Sequence, residues 1–538
     1  MSGHVEVRAG AYHDSVTLMQ VSRRLRDVPG VNAAQVAMGT PLNLELLAGM
    51  GLPAPSGTGP DDLVVGLDVE DDGARDLALA ALGEALTAPG RRSGGPREEQ
   101  PPLTTGSALR RTGADLVVVS VPGEAAFAEA VDAVQAGASV VVFSDNVPVE
   151  QEVALKELAA RQDVLVMGPD CGTAVVGGLG LGFANAVQPG PVSLVAASGT
   201  GAQQVMALLD AAGVGVRHCL GLGGRDLSAA VGGRSASAAL RALAADGGTE
   251  LVVIVSKPPD EAVAARLRAE AAALDLAVEE ALLGEGRPDI TAAVERVVQR
   301  LGRPVPRWPR WPASGADRTA EAGGEGAAAA SGDGAAAPTD ADAAAPTGTG
   351  ARRGGALRGL FCGGTLCDEA MLLASAELGP VRSNIPLHPD WRLDVDGSGG
   401  WDAGADHVMV DFGDDALTRG RAHPMIDPTL RDARLATEAG DPRVGVLLLD
   451  VVLGHGAHPD PSAELAARVR DARSLAGGDG RDLAVVVTLV GTALDPQGRD
   501  RQASALADAG ADVFLSNAEA VRHAVHLVRQ ALTEEAPR

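Results

Sequence analysis

Aromatic residues are nearly missing from this 538-residue chain, where tryptophan, tyrosine and phenylalanine together supply 2%. Its cores must be built from Val, Leu and Ala, which suits strands buried on both faces beneath Ala-rich helices. Cysteine is scarce as well. Cys171, Cys219, Cys362 and Cys367 are too few and too scattered for a disulfide framework. Cys362 and Cys367 have neither a second nearby pair nor a neighbouring histidine, so no metal site is expected. Lysine is confined to Lys156 and Lys257, and 45 Lys and Arg face 71 Asp and Glu, a formal net charge of −26. That balance argues against nucleic acid or an anionic membrane as a partner. No apolar run approaches membrane-spanning length, and the start "MSGHVEVRAG" lacks a signal-peptide pattern. A soluble cytoplasmic protein is expected.

What is present is an α/β rhythm. The length suggests three or four domains. "PGRRSGGPREEQPP" (89–102) reads as a short linker. The Ala/Gly/Pro/Asp stretch 313–355 has no apolar periodicity and is expected to be disordered, because it buries too little surface to offset its ordering entropy. Between them "ADLVVVSVP", "SVVVFSD" and "VLVMGPD" alternate with helical patterns around 124–136 and 149–161, as in a doubly wound parallel sheet. A second α/β unit begins near Pro191, and a third follows the long linker.

Two turns stand out. In "PVSLVAASGTGAQQVMALLDAAG" (191–213) a buried strand stops at Ser198, Gly199, Thr200 and Gly201, and an apolar helix follows directly. Unpaired N–H groups at such a helix start favour an anion, and the glycines let it approach the backbone. Alone, the turn reads equally well as an ordinary βα loop with a Ser or Thr cap. Beyond the long linker, "LRGLFCGGTLCDEAMLLASAELG" repeats the design, with Ser198-Gly199-Thr200 overlaying Gly363-Gly364-Thr365. Two such starts in comparable units suggest pseudo-symmetric domains converging on one phosphate, a site that needs no lysine.

Other turns after strands supply further candidates: Asp170 and Cys171 in "MGPDCGTA", and Gly223, Gly224 and Arg225 in "GLGGRDLSAAVGG". His423 lies among Arg419, Arg421 and Arg431, and His455 and His458 lie in the loop after a very apolar strand. Either loop is placed to carry a general acid or base. Asp450, read at the end of that strand, is a structural acceptor or an active-site carboxylate. His218 reads as core.

In combination "YHDSVTLM" (12–19), "MGPDCGTAVVGGLGLGFAN" (167–185), "ASGTGAQQV" (197–205), "GLGGRDLSAAVGG" (221–233), "CGGTLCDEAM" (362–371), "RAHPMIDPTLR" (421–431) and "LLDVVLGHGAHPDP" (448–461) resemble the FdrA family, which is similar to succinyl-CoA synthetases. The resemblance implies an N-terminal α/β unit particular to that family (1–88), a CoA-binding Rossmann-like domain (103–188), and two flavodoxin-like ligase domains. One of these is α-subunit-like (189–305) and one β-subunit-like (356–530). It also implies that the two helix starts face a shared phosphate, and that other subunits complete a complex. Within that frame, the candidate phosphate ligands are Ser198, Gly199, Thr200, Gly201, Gly363, Gly364 and Thr365. Substrate would meet Asp170, Cys171, Gly223, Gly224, Arg225 and Arg421, and His423, His455 and Asp450 are the catalytic candidates.

Departures from the synthetase pattern narrow the chemistry. The G-H-A-G loop that carries their phosphohistidine is missing, and no histidine lies between His218 and His388. "VSKPPDEA" (255–262) replaces the G-E-x-G-G turn, and no segment remains for an ATP-grasp domain. FdrA-type proteins act in oxamate carbamoyltransferase, which turns oxalurate and phosphate into oxamate and carbamoyl phosphate during purine breakdown. The resemblance therefore implies phosphate as a substrate, no certain cofactor, and CoA as a possible ligand. The alternatives are an ADP-forming acyl-CoA synthetase subunit with a separate nucleotide-binding partner, and a non-catalytic scaffold.

Overall fold

The computed structural model describes residues 2–11, 13, 15–87, 102–314, 354–419 and 421–535. Nearly all of the two expected linkers, and Tyr12 and Asp14 of the first motif, lie outside them. No helix among the described residues is long and apolar enough to cross a membrane.

The N-terminal unit is a three-stranded antiparallel sheet in the order Ser2–Arg8, Leu63–Val69, Val31–Met38. Alternation along Leu63–Val69 sends Leu63, Val65, Leu67 and Val69 against the helices Ser15–Arg26 and Asp72–Thr87, where Leu18, Leu25, Ala78 and Leu82 meet them. Val64, of opposite parity, packs with Leu47 and Leu52 on the other face.

The next unit is a small parallel sheet of Leu116–Val119, Ser139–Val142 and Val166–Met167. The expected helices run Gly123–Gln135 and Val149–Gln162. Ala126, Ala130 and Val134, four residues apart, form the first helix's buried stripe against that sheet.

The two larger sheets carry the site. One has six strands in the order Val278–Leu282, Leu251–Ser256, Val192–Ala197, Val216–Gly221, Thr173–Val176, Leu179–Gly182. Its first four are parallel, and the last two, contributed from before Pro191, form a hairpin whose strand Thr173–Val176 is antiparallel to both its neighbours. In the other, Asp512–Phe514, Ala484–Val490, Val444–Val452, Ala356–Phe361 and His407–Asp411 are parallel neighbours. Arg310–Trp311 closes one edge antiparallel to Asp512–Phe514. In both sheets the first parallel strand lies inside the sheet with later parallel strands on either side, the doubly wound arrangement in which ligands bind beyond the carboxyl ends at the switch of direction.

Val192–Ala197 is buried on both faces, as its composition requires: Val192, Leu194 and Ala196 enter one core, Val195 and Ala197 another. The first of these cores runs through both larger units, joining Val205, Met206 and Leu209 to Leu366, Ala370 and Met371. Polar contacts fix the same interface, with Glu369 accepting from the Ile290 N–H at 2.7 Å and Asp495 from Asn185 Nδ2 and the Ala186 N–H at 2.8 Å each.

Candidate functional site

The strand Val192–Ala197 ends at Ser198, whose extended backbone (φ −158°, ψ 118°) caps the helix Gly199–Ala211. Its Oγ accepts from the Gly201 N–H at 3.0 Å. The strand Ala356–Phe361 leads in the same way to the helix Gly364–Leu378, but Gly363 has no side chain to cap it. Asp450 does so from beneath, accepting from the Cys362 and Gly363 N–H groups at 2.7 and 2.8 Å.

The two helix starts touch. Ser198 Oγ and Thr365 Oγ1 are 2.6 Å apart. A Cβ on Gly363 would fall 3.0 Å from Cβ, Cγ2 and Oγ1 of Thr200, and one on Gly201 would fall 3.0 Å from Thr365 Cγ2. Since Thr200 overlays Thr365 and Ser198 overlays Gly363, each threonine leans on the other unit's cap residue. The contact is reciprocal, as a pseudo-two-fold axis demands. Beside it opens a cleft of about 1560 Å³, lined by Ser198, Gly199, Thr200, Gly364 and Thr365. Gly201 and Gly363 lie behind these, in the contact itself.

One wall carries charges that sequence reasoning did not single out. Lys257 follows the strand Leu251–Ser256, and its Nζ is 3.2 Å from Asp368 Oδ2 and 3.0 Å from the Cβ position of Gly364. A lysine therefore stands at the site that seemed to need none. Burial works to lower its pKa, but Asp368 and Asp411 outweigh it and hold the ammonium above its ordinary value. Asp411 ends the strand His407–Asp411, and burial pushes its carboxyl up to about 7 against the pull of Lys257. Both residues stand at carboxyl ends of parallel strands, and that position was the available signal.

Asp170, Cys171, Gly223, Gly224, Arg225, Arg421 and His423 line the same cleft. Asp170 is exposed to the cleft, and desolvation by the surrounding walls, with Asp415 and Asp145 as neighbours, raises its pKa to about 7. Burial pushes the Cys171 thiol up to about 12, so it is no nucleophile near neutral pH. Gly223 (φ +80°) packs so tightly on the Pro169 carbonyl that no side chain fits there. Arg225 is held by Glu152 Oε2 at 2.9 Å and donates to the Val147 carbonyl at 2.8 Å.

Burial lowers His423 to about 4, leaving it neutral at physiological pH. Its Nδ1 accepts from the Met425 N–H at 3.2 Å, which puts the ring proton on Nε2, toward Gly413. The structure does not bring the remaining two candidates to the cleft. His455 is exposed, its backbone bonded to the Ala184 carbonyl at 2.8 Å. Asp450 is fully buried under the second turn, with Arg431 Nη1 3.7 Å from its Oδ1. The other lysine, Lys156, is buried between Glu152 and Asp226 at 2.7 and 2.8 Å and is structural.

The N-terminal unit roofs the cleft with its edge strand Val31–Met38. Arg23 donates to the Ile426 carbonyl, and Arg26 pairs with Asp427 Oδ2 at 2.5 Å.

Comparison with known proteins locates the chain among relatives. Residues 1–102 match the family model for the AllF heavy metal-associated domain, and residues 360–527 match the CoA-ligase model. The first segment contains no cysteine, and no group of His, Cys, Asp or Glu among the described residues could hold a metal ion. The uncharacterized protein YahF of Escherichia coli K12 is 37% identical over 514 residues, 95% of each chain. The mitochondrial ADP-forming succinate–CoA ligase subunit alpha-2 of Trichomonas vaginalis is 25% identical over 154 residues, 28% of this chain and 48% of its own. The acetyl-coenzyme A synthetase 1 of Ca. Korarchaeum cryptofilum, solved with phosphate and ADP, aligns over 79% of this chain and 86% of its own. Its 14% identity and TM-score of 0.27 are too low to locate any residue of the site.

Proposed function

This chain belongs to the FdrA family of the succinyl-CoA synthetase superfamily, and from that membership we propose that it binds phosphate or an acyl phosphate against its paired helix starts. In this reading it is one subunit of a carbamoyltransferase complex in which oxalurate and phosphate give oxamate and carbamoyl phosphate. The observation that carries the proposal is the contact of Ser198 with Thr365 beside one cleft, with Lys257 at its wall.

Each helix start contributes roughly half a positive charge, so two of them and one ammonium offset most of a phosphate dianion. The N–H groups at these starts and the Thr200 hydroxyl would donate to its oxygens, while Thr365 Oγ1 is already engaged with Ser198 Oγ. Phosphorolysis of a carbamoyl group needs no covalent relay, which fits a site without a phosphohistidine. Charge developing in the tetrahedral intermediate would meet the same preorganised donors. Arg421, exposed on the cleft wall, suits the substrate carboxylate better than Arg225, whose guanidinium is already engaged. On the same reading, residues 103–188 form a CoA-binding-like unit, and 189–305 and 356–530 the two ligase halves.

An ADP-forming acyl-CoA synthetase subunit, working with a separate nucleotide-binding partner, is the second reading, favoured by the CoA-ligase match. The deciding assay combines the full chain with the proteins encoded beside it and follows carbamoyl phosphate formed from oxalurate and phosphate. Calorimetry on the full chain should show phosphate binding without CoA. Tight CoA binding with no response to phosphate would overturn the proposal in favour of the second reading.

A further inference from the structure

Transfer of a carbamoyl group to phosphate leaves a proton to be moved. The attacking HPO₄²⁻ carries one proton more than the carbamoyl phosphate it becomes, and the departing amide nitrogen needs one to leave as neutral oxamate amide. The sum is balanced at H₂N–CO–NH–CO–COO⁻ plus HPO₄²⁻ giving H₂N–CO–OPO₃²⁻ plus H₂N–CO–COO⁻. A C–O bond forms, a C–N bond breaks, and one proton passes from oxygen to nitrogen. His423 is poorly suited to carry it, because burial keeps its ring from taking a proton near neutral pH.

Asp411 is placed for the task. Its backbone is clamped by Asn384, whose Nδ2 donates to the Asp411 carbonyl at 2.9 Å and whose Oδ1 accepts from the Asp411 N–H at 3.0 Å. Oδ1 of the carboxylate accepts from the Gly413 N–H at 2.8 Å. Oδ2 has no hydrogen-bond partner among the described residues and lies 2.6 Å from the Cβ position of Gly364, over the first turn of the second helix. The residue is 5% exposed and lines the cleft.

We propose that Asp411 is the proton relay of this reaction: its free oxygen takes the proton of the attacking phosphate and delivers it to the departing nitrogen. The inference rests on the carbamoyl-transfer reading. The groups facing Asp411 are Lys257, Asp368, Asp414 and the Gly413 N–H, with His423 Nε2 across Gly413 and the buried Cys362, Cys367 and Asp450 behind. Lys257 stabilises the carboxylate, and Asp368, Asp414 and burial stabilise the acid, so both forms are accessible near pH 7. The carboxylate is the active ground-state form in either direction of the reaction.

The test is Asp411→Asn in the assembled complex, since Asn keeps the bond to Gly413. The expected result is a fall in kcat of about 10²–10⁴-fold with phosphate affinity within about threefold of wild type. In the reverse direction, from carbamoyl phosphate and oxamate, the wild-type rate should rise with pH through about 7, and the variant should lose that limb. The reverse direction is chosen because inorganic phosphate itself titrates in the same region. An active wild type with an equally active variant, or with no such limb, overturns the relay alone. Loss of activity matched by loss of phosphate binding makes Asp411 a binding group and also overturns it. A wild-type complex inert toward oxalurate overturns the underlying reading and the relay with it.

Discussion

Replacing Lys257 by Met removes the side-chain cation that lies nearest the second helix start among the described residues while keeping most of its volume. At an effective dielectric of about 20, an ammonium about 4 Å from a unit negative charge gains about 4 kcal/mol. Two features of the structure reduce that figure. The side chain is 39% exposed, so solvent screens it, and Asp368 at 3.2 Å already shares its charge. A charge-assisted hydrogen bond of about 1.5–3 kcal/mol is the realistic remainder, equivalent to a loss in phosphate affinity of about 10–100-fold. Calorimetric titration of the full chain with inorganic phosphate at pH 7.5, at low and at physiological salt, reads this directly. The loss should shrink as salt is added, because the lost contribution is partly screened charge. Wild-type affinity in Lys257→Met would refute the placement of phosphate at this wall. A loss independent of salt would show that the lysine acts through packing.

Three further substitutions probe the frame around the site. Gly363→Val presses a side chain onto Thr200, 3.0 Å from three of its atoms, and should cost about 1–3 kcal/mol in thermal stability while parting the helix starts. Asp450→Asn leaves one of the two N–H groups it caps without an acceptor and removes the carboxylate that faces Arg431. It should destabilise the chain by about 3 kcal/mol in denaturant melts. Asp170 has a folded-state pKa raised to about 7, so the folded chain holds its proton more tightly than the unfolded one. Its contribution to stability is full at low pH and is lost as pH rises through 7. Asp170→Asn should therefore raise the melting temperature relative to wild type at pH 8 and not at pH 4; the same shift at both would refute the assignment.

The paired turns were legible because their information is local. A both-face apolar strand, two or three small residues and an apolar helix lie within about twenty positions, and the second copy repeats the first. Lys257 and Asp411 were not, because each is a single charge at the carboxyl end of a strand, and the two strands lie far apart in the chain. Asp450 shows how a boundary misleads. Reading it at its strand's tip suggested an active-site carboxylate, but the strand runs on to Val452, and Asp450 lies beneath the Cys362–Gly363 turn. His455 is a related case: its loop follows a carboxyl strand end, but its backbone pairs with Ala184 and its side chain is exposed. The strands Thr173–Val176 and Leu179–Gly182 sit in the six-stranded sheet though they precede its first parallel strand. Nothing in a short Gly-rich hairpin specifies which sheet edge it will join.

The central claim is that one phosphate is held against the two touching helix starts. A crystal structure of the full chain soaked with inorganic phosphate tests it most directly. Phosphate oxygens are expected within hydrogen-bonding distance of the backbone N–H groups at Gly199–Thr200 and Gly364–Thr365, with Lys257 Nζ completing the shell. Phosphate bound elsewhere in the cleft, or density there for CoA alone, would contradict it.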